Sequence, residues 1–367
     1  MVTVQVTYVD AGNLYVSWRW EHDPENPRVL ILPRDRVGPP LAALADALPT
    51  PRPGESAHQA LTRALRGVQG RGGALTDRDR ERTLATSLAA ALIPAQLARE
   101  LDAVILAGDP LHVRVQPSPS TAQVPWEALR VDEAERFVHN AKVSILTPAT
   151  VRNARARRVS PHTGPVAGVI DPPTPLGRVL GEIPEALAAL DTLDRDTLRP
   201  ALAEAGRFLY VGHVTTAEHA LDARLHLAQG PLTAADLLGW RIPNRAALIA
   251  CESGGDHRYA EPSGLVAALV HGGAEYVTAT RWVLPTDAGL TRLFPGFTTP
   301  AGGVLADAVL AIHDAQEHAD PVAALNDWQR DQADRWESGG APELTPLVWA
   351  AFGAAHAPAP PVDVTGR

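Results

Sequence analysis

The sequence predicts an α/β fold, a mostly parallel sheet flanked by helices, with a small β-containing region at the N-terminus. Three observations carry this. Residues 166–170, 208–211 and 246–250 are short, unbroken apolar runs bounded by polar, proline or glycine residues, the pattern of strands buried on both faces. The segments between them, such as 214–244, are long enough for the crossovers that parallel strands need. The first 18 residues alternate instead, as strands with one wet face do.

Taken in order, Val2, Val4, Val6 and Tyr8 alternate, Ala11-Gly12-Asn13 turns the chain, and Leu14, Val16 and Trp18 alternate again, which is a hairpin pattern. Residues 28–32 read as a third strand. Pro39-Pro40 and the cluster at 49–54 punctuate short helices, and 68–73 is a glycine-rich break. Composition then changes. Residues 76–92 carry charges first and then an apolar stripe through Leu84, Leu88 and Leu92, with Thr76 as the N-cap. This divides the chain into an N-terminal region with a β-hairpin (1–75), an α/β domain (76–356) and a Pro-rich, disordered tail (357–367).

Within the α/β domain, 95–103 is helical and 111–115 is a strand. The run Val124-Pro125-Trp126-Glu127-Ala128-Leu129 precedes a strand at 143–146 and an arginine-rich connector at 152–158. The strand at 166–170 ends in Asp171-Pro172-Pro173, a helix covers 183–190, and the strand at 208–211 leads to His213. A helix over 232–240 joins it to the strand at 246–250. Beyond that strand, a helix at 262–271 stops at Gly272-Gly273, 276–280 is a strand, 304–317 and 322–336 are helices, and 346–352 closes the fold.

With 367 residues and 45% hydrophobic content the chain can bury a large core. A net charge of −9 argues against nucleic acid and anionic membrane surfaces as partners. Apolar runs fall short of the roughly 18 residues a spanning helix needs, and the first residues alternate rather than form a leader, so the expected location is cytoplasmic. The single cysteine excludes an internal disulfide. Few Cys and Met among abundant Ala, Arg and Pro suggest a GC-rich bacterial genome. Nothing fixes an oligomeric state.

The chemistry-bearing residues stand at strand ends, where ligands collect in open α/β sheets. Cys251 follows the strand at 246–250, and His213 follows that at 208–211. Adjacent strands lie about 4.8 Å apart, so side chains leaving neighbouring ends can share one substrate. A free thiol titrates near ~8.5 and needs an imidazole to take its proton or pair with its anion. Acyl transfer also needs backbone N–H groups aimed at the developing oxyanion, and the Val214 and Cys251 amides are the candidates. Other chemistries fit less well. A lone cysteine at a strand end can be a buried small hydrophobe. His213, His219, His226 and Cys251 follow no zinc-finger spacing, and no metal or cofactor is implied. A glutamine amidotransferase would place glycine two positions before the cysteine, with its histidine downstream.

These pieces, in this order over about residues 85–355, resemble the CHAT family of caspase-like cysteine peptidases. The matching segments are Val124 to Leu129, 166–172, His213, Leu248-Ile249-Ala250-Cys251-Glu252-Ser253-Gly254, 264–282 and Trp349-Ala350-Ala351-Phe352. The resemblance implies a caspase-like fold, a His213/Cys251 dyad and hydrolysis of a specific protein or peptide partner in a bacterial defence or regulated-death module, with an activating protein partner in addition. It also directs attention to Trp282 and Asp287, beyond the strand after the cysteine strand, as substrate-binding residues. Glu252, Asp222 and Asp256 lie near the same cleft, and an acidic wall would favour a basic residue before the scissile bond. One departure stands out: the family places glycine after its histidine, whereas this chain has Val214, which keeps the N–H but loses glycine's conformational freedom. Val214 favours the alternative reading, a catalytically silent scaffold that binds a protein partner through its cleft.

Overall fold

The computed structural model describes residues 1–67, 72–190, 193–259, 262–294, 297–300 and 302–358. Its strands, in chain order, are β1 (Val2–Ala11), β2 (Asn13–Trp20), β3 (Asp23–Leu32), β4 (Leu111–Gln116), β5 (Lys142–Leu146), β6 (Val166–Ile170), β7 (Arg207–Val211), β8 (Val214–Thr215), β9 (Arg224–Leu227), β10 (Gly230–Thr233), β11 (Arg245–Ile249), β12 (Tyr276–Thr280) and β13 (Phe352–His356). Ten of them form one sheet in the order β3-β2-β1-β4-β5-β13-β12-β11-β7-β6, and β10-β9-β8 form a small second sheet. The large sheet is parallel except at the β1–β2 and β2–β3 pairs and at one junction, where β12 meets β13. The parallel strands therefore form two opposed blocks, β1-β4-β5-β13 and β12-β11-β7-β6.

Alternation along β7 and β11 explains why both read as unbroken apolar runs. Phe208, Tyr210, Ala246 and Leu248 enter one core, while Leu209, Val211, Ala247 and Ile249 enter the core on the other face. The alternating N-terminal strands bury only one row. Val4, Val6, Tyr8, Val16 and Trp18 join the same core as Trp126 and Phe352.

The composition change near residue 75 leaves the sheet unbroken, because β1 pairs in parallel with β4 from Val2↔Leu111 to Thr7↔Gln116. The third strand begins earlier than 28. It runs through Pro24 and Pro27, which cost little because β3 is an edge strand and the β2–β3 register shifts there. The first helix of the α/β domain, Arg34–Ala47 being earlier, is Arg78–Leu92, and its cap is Asp77, whose carboxylate accepts from the Arg80 N–H (3.0 Å). Thr76 instead donates to the Leu65 carbonyl (3.0 Å). The helix expected over 232–240 shrinks to Ala234–Leu237, because Gly230 and Pro231 start a hairpin strand paired with β9.

The segment Val124 to Leu129 is a buried brace. Trp126 stacks on Tyr8 at 5.0 Å, and Glu127 accepts from Arg281 Nη2 (2.8 Å) beyond the end of β12. Arg281 Nη1 also donates to the carbonyls of Ala350 (3.0 Å) and Phe352 (2.8 Å), tying the start of β13 to the same point. The disordered tail expected from 357 lies outside the described residues from 359 onward. Ala357 itself is buried, and its N–H donates to Glu275 O (2.8 Å). Among the described residues no helix is long and apolar enough to cross a membrane.

Candidate active site at the ends of β7 and β11

β7 and β11 are parallel neighbours, with Val211 opposite Ile249, and the Gly212 N–H donates to Ile249 O (3.2 Å) just beyond the last pair. His213 and Cys251 each lie two residues past that pair. The register therefore brings the imidazole-bearing and thiol-bearing positions to the same level on adjacent strand exits.

The exit of β11 is stitched to that of β12. Ser253 Oγ donates to Leu248 O (2.6 Å) and accepts from the Thr280 N–H (3.0 Å). The N–H groups of Glu252 and Gly254 donate to the carbonyls of Trp282 (3.2 Å) and Thr280 (2.8 Å). Glu252, directly after the thiol, holds a left-handed backbone with φ 54°. For a side chain of this size that conformation costs about 1–3 kcal/mol, and strain of this kind concentrates at functional turns.

The half-buried Cys251 thiol is pushed up from the ordinary cysteine range by burial. Its own amide and that of Leu284 work against the shift, and the Glu252 charge adds to it. Among the described residues the sulfur makes no hydrogen bond to His213.

The half-buried His213 donates Nε2–H to the carbonyl of Gly177 (3.1 Å), which can only accept. This bond fixes the tautomer and leaves Nδ1 as the basic nitrogen. The carbonyl belongs to a loop organised by the exit of β6. Asp171, buried and also left-handed at φ 47°, accepts from the N–H groups of Val179 (2.8 Å) and Leu180 (3.3 Å) and faces Arg178 at 3.7 Å. Sequence reasoning passed over Asp171 as a strand terminator, yet a carboxylate directly beyond a buried strand and before Pro172-Pro173 was the available signal. Val214 opens β8 opposite Leu225, and both side chains sit in one core. The valine thus serves packing as well as following the histidine.

Burial sorts the residues expected around an acidic wall. Trp282, expected to bind substrate, is completely buried and donates Nε1–H to Leu347 O (3.0 Å), so here it braces the site from inside. Asp256 is buried as well. Its carboxylate accepts from the N–H groups of Val266 (3.3 Å) and Ala267 (2.8 Å) at the start of helix Leu265–His271, and burial pushes its pKa up to about 6. Glu252 accepts from Thr50 Oγ1 (3.0 Å) and pairs with Arg258 Nη1 (2.6 Å). The half-buried Asp287 accepts from the Val304 N–H (2.7 Å). Asp222 is the exposed member of the five, on the connection between β8 and β9. His226 Nε2 lies 3.0 Å from Thr215 Oγ1, and no metal-binding group of three His, Cys, Asp or Glu occurs among the described residues.

A CHAT domain profile matches residues 82–357. Comparison with the sequences of curated proteins found no match. Two solved structures of the Saccharomyces cerevisiae separase–securin complex share the fold, with a TM-score of 0.55 at 11% identity and a TM-score of 0.50 at 12% identity. Each comparison covers 96% of this chain and 30% of the longer one, so the chain spans less than a third of the protein chain it resembles. The likeness is one of fold: a large, mostly parallel sheet flanked by helices, as in caspase-like separase.

Proposed function

The chain belongs to the CHAT domain family, a caspase-like peptidase scaffold, and from that premise we propose that it is a cysteine endopeptidase in which His213 and Cys251 cleave a specific protein partner. The observation that carries this reading is the register that levels the two residues on adjacent strand exits.

Because burial disfavours the thiolate, the proton leaves sulfur at the moment of attack rather than in a resting ion pair. His213 Nδ1 takes the proton as Cys251 Sγ bonds to the substrate carbonyl carbon. The amides of Val214 and Cys251 receive the oxyanion. As the C–N bond breaks, His213 returns the proton to the leaving amine, and a thioester forms. Water, deprotonated by the same imidazole, then releases the acid and restores the thiol. The donation of His213 Nε2 to Gly177 O steadies the imidazolium during both steps. A protein partner agrees with the fold-level likeness to a separase–securin complex, and a cytoplasmic bacterial defence module remains the setting we propose.

A second reading, a catalytically silent scaffold, is favoured by Val214 and by the lack of a sulfur–imidazole hydrogen bond among the described residues. Incubation of wild-type protein and Cys251→Ala with a diverse peptide library, followed by mass spectrometry, separates the two. New termini at a defined sequence in the wild-type sample alone support peptidase action, and identical peptide profiles support the scaffold.

A further inference from the structure

Residues 1–81 lie outside the family match, yet one of their loops reaches the residue beside the nucleophile. The loop, 46–55, is shaped by Arg63. That half-buried guanidinium donates to the carbonyls of Asp46 (2.7 Å), Leu48 (2.9 Å) and Thr50 (3.0 Å) and to both oxygens of Glu55 (3.0 and 2.8 Å). A planar fork with its donors filled from one loop leaves that loop little freedom. Behind it, helix Ala57–Arg66 is fastened to the flank of the site, where Arg66 Nε donates to Leu293 O (2.7 Å). Leu61 packs so closely on Gly289 that a Cβ there would lie 2.9 Å from it.

What this scaffold presents is Thr50. Its Oγ1 donates to Glu252 Oε1 (3.0 Å) and accepts from Gln123 Nε2 (3.2 Å), which also reaches Arg281 O (3.2 Å). Glu252 follows Cys251 and holds the strained φ of 54°. Such a conformation persists only where surrounding contacts over-determine it. The other partner of that carboxylate, Arg258, is 37% exposed and so partly screened by solvent, whereas Thr50 is half-buried.

We propose that Thr50 is a positioning residue: loop 46–55 anchors the Glu252 carboxylate and so holds the backbone turn that carries Cys251 and its amide. The inference rests on the peptidase reading for its catalytic consequence, but not for its structural one. It gives the N-terminal region a role in the site that the family match does not cover.

Thr50→Val keeps the shape and deletes the hydroxyl, and Thr50→Ser keeps the hydroxyl. Steady-state kinetics on a cleaved peptide should show kcat falling roughly tenfold in the Val variant with KM within about twofold, as for a group acting on transition-state geometry, and the Ser variant should recover most of it. Amide exchange at 252–255 should quicken in the Val variant and return in the Ser variant, with Tm unchanged. Wild-type kcat in Thr50→Val, or unaltered exchange at 252–255, would overturn the proposal. If the wild-type protein turns over no peptide, faster exchange in Thr50→Val still upholds the anchor, and the failure falls on the peptidase reading alone.

Discussion

Replacing Glu127 with Ala removes one half of an ion pair in which neither partner meets water. Glu127 is 0% exposed and Arg281 5%, and their Oε1 and Nη2 stand 2.8 Å apart. The carbonyls of Ala350 and Phe352 would still accept from the guanidinium, but no negative charge would remain beside it. Stranding one charge of a buried pair costs about 3–5 kcal/mol. With an unfolding entropy of about 2.1 cal/mol/K per residue, a chain of 367 residues should lose about 4–6 °C of Tm. Urea unfolding at pH 7, followed by fluorescence, reads the loss as a lower midpoint at unchanged slope. The combined variant Glu127→Leu, Arg281→Met removes both charges and should recover part of the stability. If Glu127→Ala costs less than about 1 kcal/mol, or if the double variant is no better than the single one, the brace assigned to this segment is wrong.

Asp171→Ala deprives the Val179 and Leu180 amides of their acceptor, so kcat/KM on a cleaved peptide should fall roughly tenfold. Asp171→Asn, which keeps an oxygen and tolerates left-handed backbone, should lose less. Asp256, raised by burial to about 6, contributes stability that is complete below its unfolded pKa and is lost as pH rises through 6. Denaturant titrations at pH 4 and pH 7 should therefore show the wild type losing about 2 kcal/mol relative to Asp256→Asn, and a constant difference would refute the assignment. The rate of Cys251 alkylation by iodoacetamide should titrate with a midpoint above that of an ordinary cysteine, because burial disfavours the thiolate. A midpoint at or below the ordinary value would point instead to a resting ion pair.

Much of the fold was legible because burial on both faces leaves a plain mark: β6, β7 and β11 are continuous apolar runs, and β1 and β2 alternate. Cys251 and His213 could be singled out because each lies within two residues of the end of such a run. What the sequence hid depends on long-range pairing. Nothing local in Val2 to Thr7 announces a parallel partner more than a hundred residues away in β4, so the N-terminal strands read as a separate region. The acidic residues near the site could not be sorted by type, since burial separates Asp256 and Asp222, and burial is a tertiary property. The complete burial of Trp282 is likewise set by tertiary packing. Asp171 accepts from the Val179 and Leu180 amides and Thr50 donates to Glu252, and no sequence periodicity announces either contact.

The dyad is tested most directly by treating intact protein with a peptidyl acyloxymethyl ketone and locating the adduct by mass spectrometric peptide mapping. One equivalent bound at Cys251 in the wild type, none in Cys251→Ala and a strongly slowed reaction in His213→Ala is the predicted result. An unmodified wild type, or labelling of Cys251 at the same rate without the imidazole, would contradict the dyad.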